Sequence, residues 1–161
     1  MDNSIINKNN NIHPTAIIGS NVILGKNNTI GPYCVVGYPG AIRSSSLRNG
    51  EVIIGDNNIF MNYVSILVGI KGNTIIGDDN LIMNYVNIGH NVTIGNKNEI
   101  GPSTMLGGHC KIYNNVKIKL SCNIRTFTKI HNDSLVGMGS NVVSDVLPSQ
   151  IVYGNPAKPK N

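Results

Sequence analysis

From Ile76 onward, every sixth residue is aliphatic. The series runs Ile76, Ile82, Ile88, Ile94, Ile100, Leu106, Ile112, Ile118, Ile124, Ile130, Val136 and Val142 without a slip. A helix repeats at about 3.6 residues and a half-buried strand at about 2, so neither explains the run. A fixed short period belongs to a repeat architecture, and a period of six to a parallel β-helix. The same frame fits Ile12, Ile18, Leu24, Ile30 and Val36, and it resumes at Ile54, Phe60 and Ile66. Gly often follows the aliphatic residue, as at Gly19, Gly31, Gly77 and Gly95, and Asn or a small residue often stands four places on. The frame breaks over residues 37–53 and 67–75. The expectation is an all-β fold in one domain, 1–161. Hexads occupy about 12–145, with two loop excursions and a short irregular C-terminal tail, 146–161. In that tail Pro148, Pro156 and Pro159 argue against a regular element.

Three hexads close one triangular coil, so residues 18 apart should stack. We call the faces A, B and C, starting from Ile76, Ile82 and Ile88. Face A then collects Leu24, Ile54, Ile76 and Ile94, with Asn28, Asn58, Asn80 and Asn98 four residues beyond each. Face B collects Ile30, Phe60 and Ile82, with Tyr33, Tyr63 and Tyr85 three residues beyond. An asparagine ladder and a tyrosine ladder both survive the excursions, which places both excursions at the corner after face C. A single coil cannot bury its own interior, so stability comes from stacking.

The outward residues change along the prism. Face A shows Ile23, Ile53 and Ile75, then Thr93, Lys111 and Lys129; face B shows Ile59 and Leu81, then Glu99 and Lys117. The apolar half fits a subunit interface, or simply residues of high β-propensity on an exposed sheet. Lys111 and Lys129 stack as like charges, which a bound anion would relieve.

Composition adds modest constraints. Charged residues are 13%, there is no Trp, and 18 Gly with abundant Asn imply many turns. The net charge of +5 suits a small polyanion such as a nucleotide or coenzyme A, and is equally compatible with no ligand. No basic run interleaved with aromatics points to nucleic acid. No apolar stretch has the length of a signal peptide or of a membrane span, so a cytoplasmic protein is expected. Three cysteines without CxxC spacing agree. Cys34, Cys110 and Cys122 each stand four residues after an aliphatic, the small inward position, and read as core fillers.

His90 is placed differently. It follows Ile88 by two residues, at a corner, where a histidine is accessible and suited to proton transfer near neutral pH. Adding 18 gives Gly108, with His109 beside it, and 18 more gives Thr126 between Arg125 and Phe127. This edge is also the one both excursions leave. The competing reading is two chance surface histidines. A zinc site is not expected, because His13 and His131 belong to other corners and three ligands do not converge. The first excursion carries Arg43, Arg48 and Ser44 to Ser46. It is either a phosphate-binding loop or a solvated one.

The hexads resemble the left-handed β-helix acyltransferases over residues 12–145. Two stretches are similar to UDP-N-acetylglucosamine acyltransferases and to N-acetyltransferases of nucleotide-linked amino sugars. They are Ile12-His13-Pro14-Thr15-Ala16 and the run from Asn80 through Asn84 to Ile88-Gly89-His90-Asn91. The resemblance implies a single-stranded left-handed parallel β-helix and a homotrimer with sites between subunits. It also implies an acyltransferase of the EC 2.3.1 type, with His90 as general base and the Gly108 N–H facing the thioester oxygen. His109, Asn84 and Tyr85, with Arg43 and Arg48, become candidates for the sugar nucleotide. Gly108, Arg125, Thr126, Lys129 and Lys158 become candidates for the coenzyme. Asn91 stands where the lipid A enzymes carry Asp, Arg125 where they carry His, and the first loop lacks their acidic substrate motif. The tail Tyr153-Gly154-Asn155-Pro156-Ala157-Lys158-Pro159 resembles that of acetyl-CoA-dependent hexapeptide enzymes. The expected reaction is acetyl transfer from acetyl-CoA to the amino group of a nucleotide-linked deoxysugar in surface glycan biosynthesis, with no metal. The alternatives are sugar O-acylation and a non-catalytic scaffold.

Overall fold

The computed structural model describes residues 9–39 and 50–160. These hold short strands and no helix, in three sheets of nine, seven and six strands. The nine-stranded sheet is face B, the seven-stranded face C and the six-stranded face A. Apart from one antiparallel hairpin, all pairing is parallel, and the register is that of the hexads. Ile94 pairs with Ile112 across 18 residues, Leu24 with Ile54 across the first excursion, and Ile54 with Ile76 across the second. The chain is thus a left-handed parallel β-helix.

Most strands are two residues long, the first outward and the second inward. The inward aliphatics from Leu24 to Val142 form one continuous core, at 3% exposure or less. Ile12 and Ile18 are only partly buried, because no coil among the described residues covers them from below. At most corners the residue three beyond the aliphatic has positive φ, 59° at Asn91, 62° at His109 and 65° at Phe127. This left-handed conformation suits Asn and costs a bulky residue energy. Its N–H donates to a carbonyl one coil below, as Tyr85 N–H does to Asn62 and Phe127 N–H to Gly108.

The asparagine ladder is buried and bonded. Asn58 Nδ2 donates to Asn28 Oδ1 (3.0 Å) and to the Gly77 carbonyl (2.8 Å), and Asn80 Nδ2 donates to Asn58 Oδ1 (2.9 Å). The tyrosines stack with centroids 5.0 Å apart, Tyr33 on Tyr63 and Tyr63 on Tyr85. A second polar ladder, not anticipated, runs up the corner between faces A and B. Asp56, Asp78, Asn96, Asn114 and Asn132 each accept the backbone N–H of the residue below, at 2.7 to 2.9 Å.

Three sequence expectations need correction. The strands at the first excursion run to Tyr38 and restart at Val52. At the second they run to Leu67 and restart at Thr74, so both loops are shorter than the loss of frame suggests. The tail is not irregular. After Val142 the frame shortens from six residues to four, which brings Val146 against Ile130, and Val152 then pairs with Val136. Both are buried and close the top of the prism. Strand Ile151–Gly154 folds back on Ala157–Pro159 as an antiparallel hairpin. The prolines do not prevent this, because Pro159 ends an edge strand, where a missing N–H costs nothing.

Candidate active site

His90, Gly108 and Thr126 form one column at the corner between faces C and A, each two residues past the inward residues Ile88, Leu106 and Ile124. Those strands pair directly, Ile88 with Leu106 and Leu106 with Ile124, which fixes the column's vertical spacing at about 4.8 Å per coil. Asn91, His109 and Phe127 form the next column along. His109 N–H donates to the His90 carbonyl at 2.9 Å, locking the two columns together.

The half-buried His90 imidazole lies against the Gly108 backbone. A β-carbon at 108 would stand 2.8 Å from both Cε1 and Nε2, so the ring fits only against glycine. Gly108 is buried, and its N–H has no acceptor among the described residues. His109 meets His90 edge-on, centroids 5.0 Å apart, and stacks on the exposed Phe127 at 4.6 Å. Burial, then the charge His90 carries when protonated, hold His109 below the ordinary histidine range. Its neutral form therefore dominates at physiological pH.

Asn91 continues the network into the second excursion. His90 Nδ1 is 3.0 Å from Asn91 Oδ1, and Ile70 N–H donates to the same oxygen at 2.8 Å. The buried Thr74 hydroxyl accepts Asn91 N–H at 2.9 Å and donates to the Leu67 carbonyl at 2.8 Å. The sequence placed this excursion on the His90 edge; the contacts themselves had no sequence signal beyond the Asn at a corner position.

The other candidates are scattered differently. Arg125 and Thr126 are exposed on the same corner, two coils above His90. Lys129 is exposed on face A and pairs in register with Lys111. Lys158 lies on the hairpin opposite Tyr153, at the top of the prism, away from His90. Asn84 and Tyr85 occupy the corner between faces B and C, so within one chain they do not join His90. Arg43 and Arg48 lie outside the described residues. His13 contacts Thr15 at 2.9 Å, and His131 stacks on Tyr113 at 4.6 Å, each on its own corner. Among the described residues no helix is long and apolar enough to cross a membrane.

Comparison with known proteins agrees with this architecture. The model of the family described as bacterial transferase hexapeptide (six repeats) matches residues 3–38 and 73–108. The chain is 34% identical over 160 residues to the acyl-(acyl-carrier-protein)–UDP-N-acetylglucosamine O-acyltransferase of Nautilia profundicola, covering 95% of this chain and 53% of that protein. It is 30% identical to the Agrobacterium fabrum enzyme of the same description, covering 95% and 51%. The chain thus spans about half the length of these curated relatives. The crystal structure of a UDP-N-acetylglucosamine acyltransferase from Bacteroides fragilis superposes with a TM-score of 0.89 at 29% identity, over 94% of this chain and 60% of that one. A perosamine N-acetyltransferase from Caulobacter crescentus, solved with CoA and GDP-perosamine, shares the fold at a TM-score of 0.63 and 22% identity, over 94% and 56%.

Proposed function

The chain carries the hexapeptide repeat of bacterial transferases on a left-handed β-helix, and from that premise we propose that it transfers an acyl group to a nucleotide-linked sugar. One observation carries the reading: the His90 ring occupies the place of a Gly108 β-carbon, beside a buried backbone N–H with no acceptor among the described residues. A base and an oxyanion donor on one edge are what acyl transfer requires. The acceptor's amine or hydroxyl attacks the thioester carbonyl while His90 takes its proton. The Gly108 N–H donates to the developing oxyanion. The carbon–sulfur bond then breaks, and His90 returns the proton to the thiolate.

We favour acetyl-CoA as donor and a sugar amine as acceptor. Arg125, Thr126 and Lys129, on or beside the upper part of this edge, suit the coenzyme phosphates, and Lys158 extends that basic surface to the hairpin. His109, neutral and backed by Phe127, suits the sugar, with Arg43 and Arg48 for its phosphates. Asn84 and Tyr85 reach a site only across a subunit boundary, which is the reason to expect a homotrimer. The apolar outward residues Ile23, Ile59 and Ile75 suit that contact. A cytoplasmic location fits three unpaired, buried thiols. The second reading is O-acylation from an acyl carrier protein, favoured by the two curated relatives.

The test assays the purified protein with acetyl-CoA and with acyl-carrier-protein donors, against amino-sugar nucleotides and UDP-N-acetylglucosamine. Acetylation of the amine supports the first reading, and O-acylation supports the second. No transfer and no coenzyme binding mark a scaffold. In whichever reaction runs, His90→Ala should cost about 10²- to 10⁴-fold in turnover with the fold intact. Retained turnover removes His90 from the mechanism.

A further inference from the structure

We propose that the second excursion selects the tautomer of His90, acting through Asn91. This deepens the reading of His90 as base and rests on it. The Ile70 N–H can donate only to the oxygen of the Asn91 amide, never to its NH2, so the 2.8 Å contact fixes which way the amide points. That oxygen stands 3.0 Å from His90 Nδ1. An amide oxygen only accepts, so Nδ1 carries the proton and the lone pair rests on Nε2. Nε2 is one of the two ring atoms against Gly108, the place where a proton from the attacking group must arrive. A reversed amide would present NH2 to Nδ1 and move the lone pair to the wrong side of the ring.

The rest of the loop holds Asn91 in place. Thr74, where the excursion ends, accepts the Asn91 N–H and donates to Leu67, where it begins. Gly72 leaves room for Nδ2, which a β-carbon at 72 would approach to 3.1 Å. The φ of 59° is one that Asn tolerates and most residues resist. Asn91 is therefore a positioning residue and Ile70 its orienting donor. A neutral amide does this without the charge a carboxylate would add.

Imidazole nitrogen shifts of the ¹⁵N-histidine-labelled chain, recorded without substrate where His90 is neutral, read the tautomer directly. The native chain should show the Nδ1–H form. Asn91→Gly keeps the corner conformation and removes the amide. It should move His90 toward the Nε2–H form and speed amide exchange at Ile70 by tenfold or more. Ile70→Pro removes the donor and should shift the tautomer in the same direction, and Asn91→Asp added to it should restore Nδ1–H, since either carboxylate oxygen accepts. A native Nε2–H form, or a tautomer unmoved by Asn91→Gly, overturns the proposal. Because the readout needs no turnover, its failure is separate from failure of His90 as base. An active enzyme with the wrong tautomer sinks only this inference, and the Nδ1–H form in an inactive chain sinks only the function.

Discussion

His90 and Gly108 stand one coil apart, with the imidazole so close to the glycine that a β-carbon there would lie 2.8 Å from Cε1 and Nε2. Gly108→Ala would press a methyl into Cε1 and Nε2 and drive the ring off the edge. Displacements of this size cost about 10²-fold in rate. Steady-state kinetics should show the loss in turnover, with circular dichroism unchanged because the corner is outside the core. Full activity in the folded variant would mean that ring position does not matter.

Asn58 is the centre of the buried ladder. Its amide bonds Asn28, Gly77 and Asn80, and its oxygen also takes the Asn80 backbone N–H. Asn58→Ala strands that N–H in the interior and leaves the partly buried Gly77 carbonyl without its donor. The expected loss is about 3 kcal/mol, measured as a lower urea midpoint. Asn115 sits at an exposed corner with φ of 56°, so the control is Asn115→Gly, which keeps that backbone without strain and should cost well under ~1 kcal/mol.

His109 should make the chain acid-sensitive. Its folded pKa is depressed by burial and by His90, so below the ordinary value near 6.5 the unfolded chain binds more protons than the folded one. Stability then falls as pH drops below that value and is insensitive to this group above it. Thermal midpoints of the native chain and of His109→Asn should run parallel near pH 8 and converge toward about pH 5. Parallel curves throughout would show that His109 titrates normally.

The three thiols should be unreactive. Burial pushes Cys110 up to about 11 and raises Cys34 and Cys122, while their sulfurs contact the Arg125, Met61 and Gly137 carbonyls. The thiolate is the nucleophile, so alkylation at neutral pH should be slow in the folded chain and fast in urea, for all three residues. Rapid labelling of one would show that its coil opens.

The architecture was legible because the repeat writes tertiary contacts as sequence spacings. An aliphatic every six residues gives the inward positions, and 18 gives the neighbour above, so Asn28, Asn58 and Asn80 could be aligned across two excursions before any coordinates. The same arithmetic set His90 beneath Gly108 and the excursions beside them. It failed where the period changed. The four-residue step from Val142 to Val146 hid the closing coil, and the prolines disguised a hairpin that only pairing with Leu135–Val136 reveals.

By itself, then, the sequence determined the prism, its faces and the edge that holds His90, because every coil repeats one local rule. The tertiary structure alone decided how that edge is wired. The seat of the imidazole on Gly108, the His109–Phe127 stack and the grip of Ile70 on Asn91 depend on side-chain direction and loop path, which no period encodes.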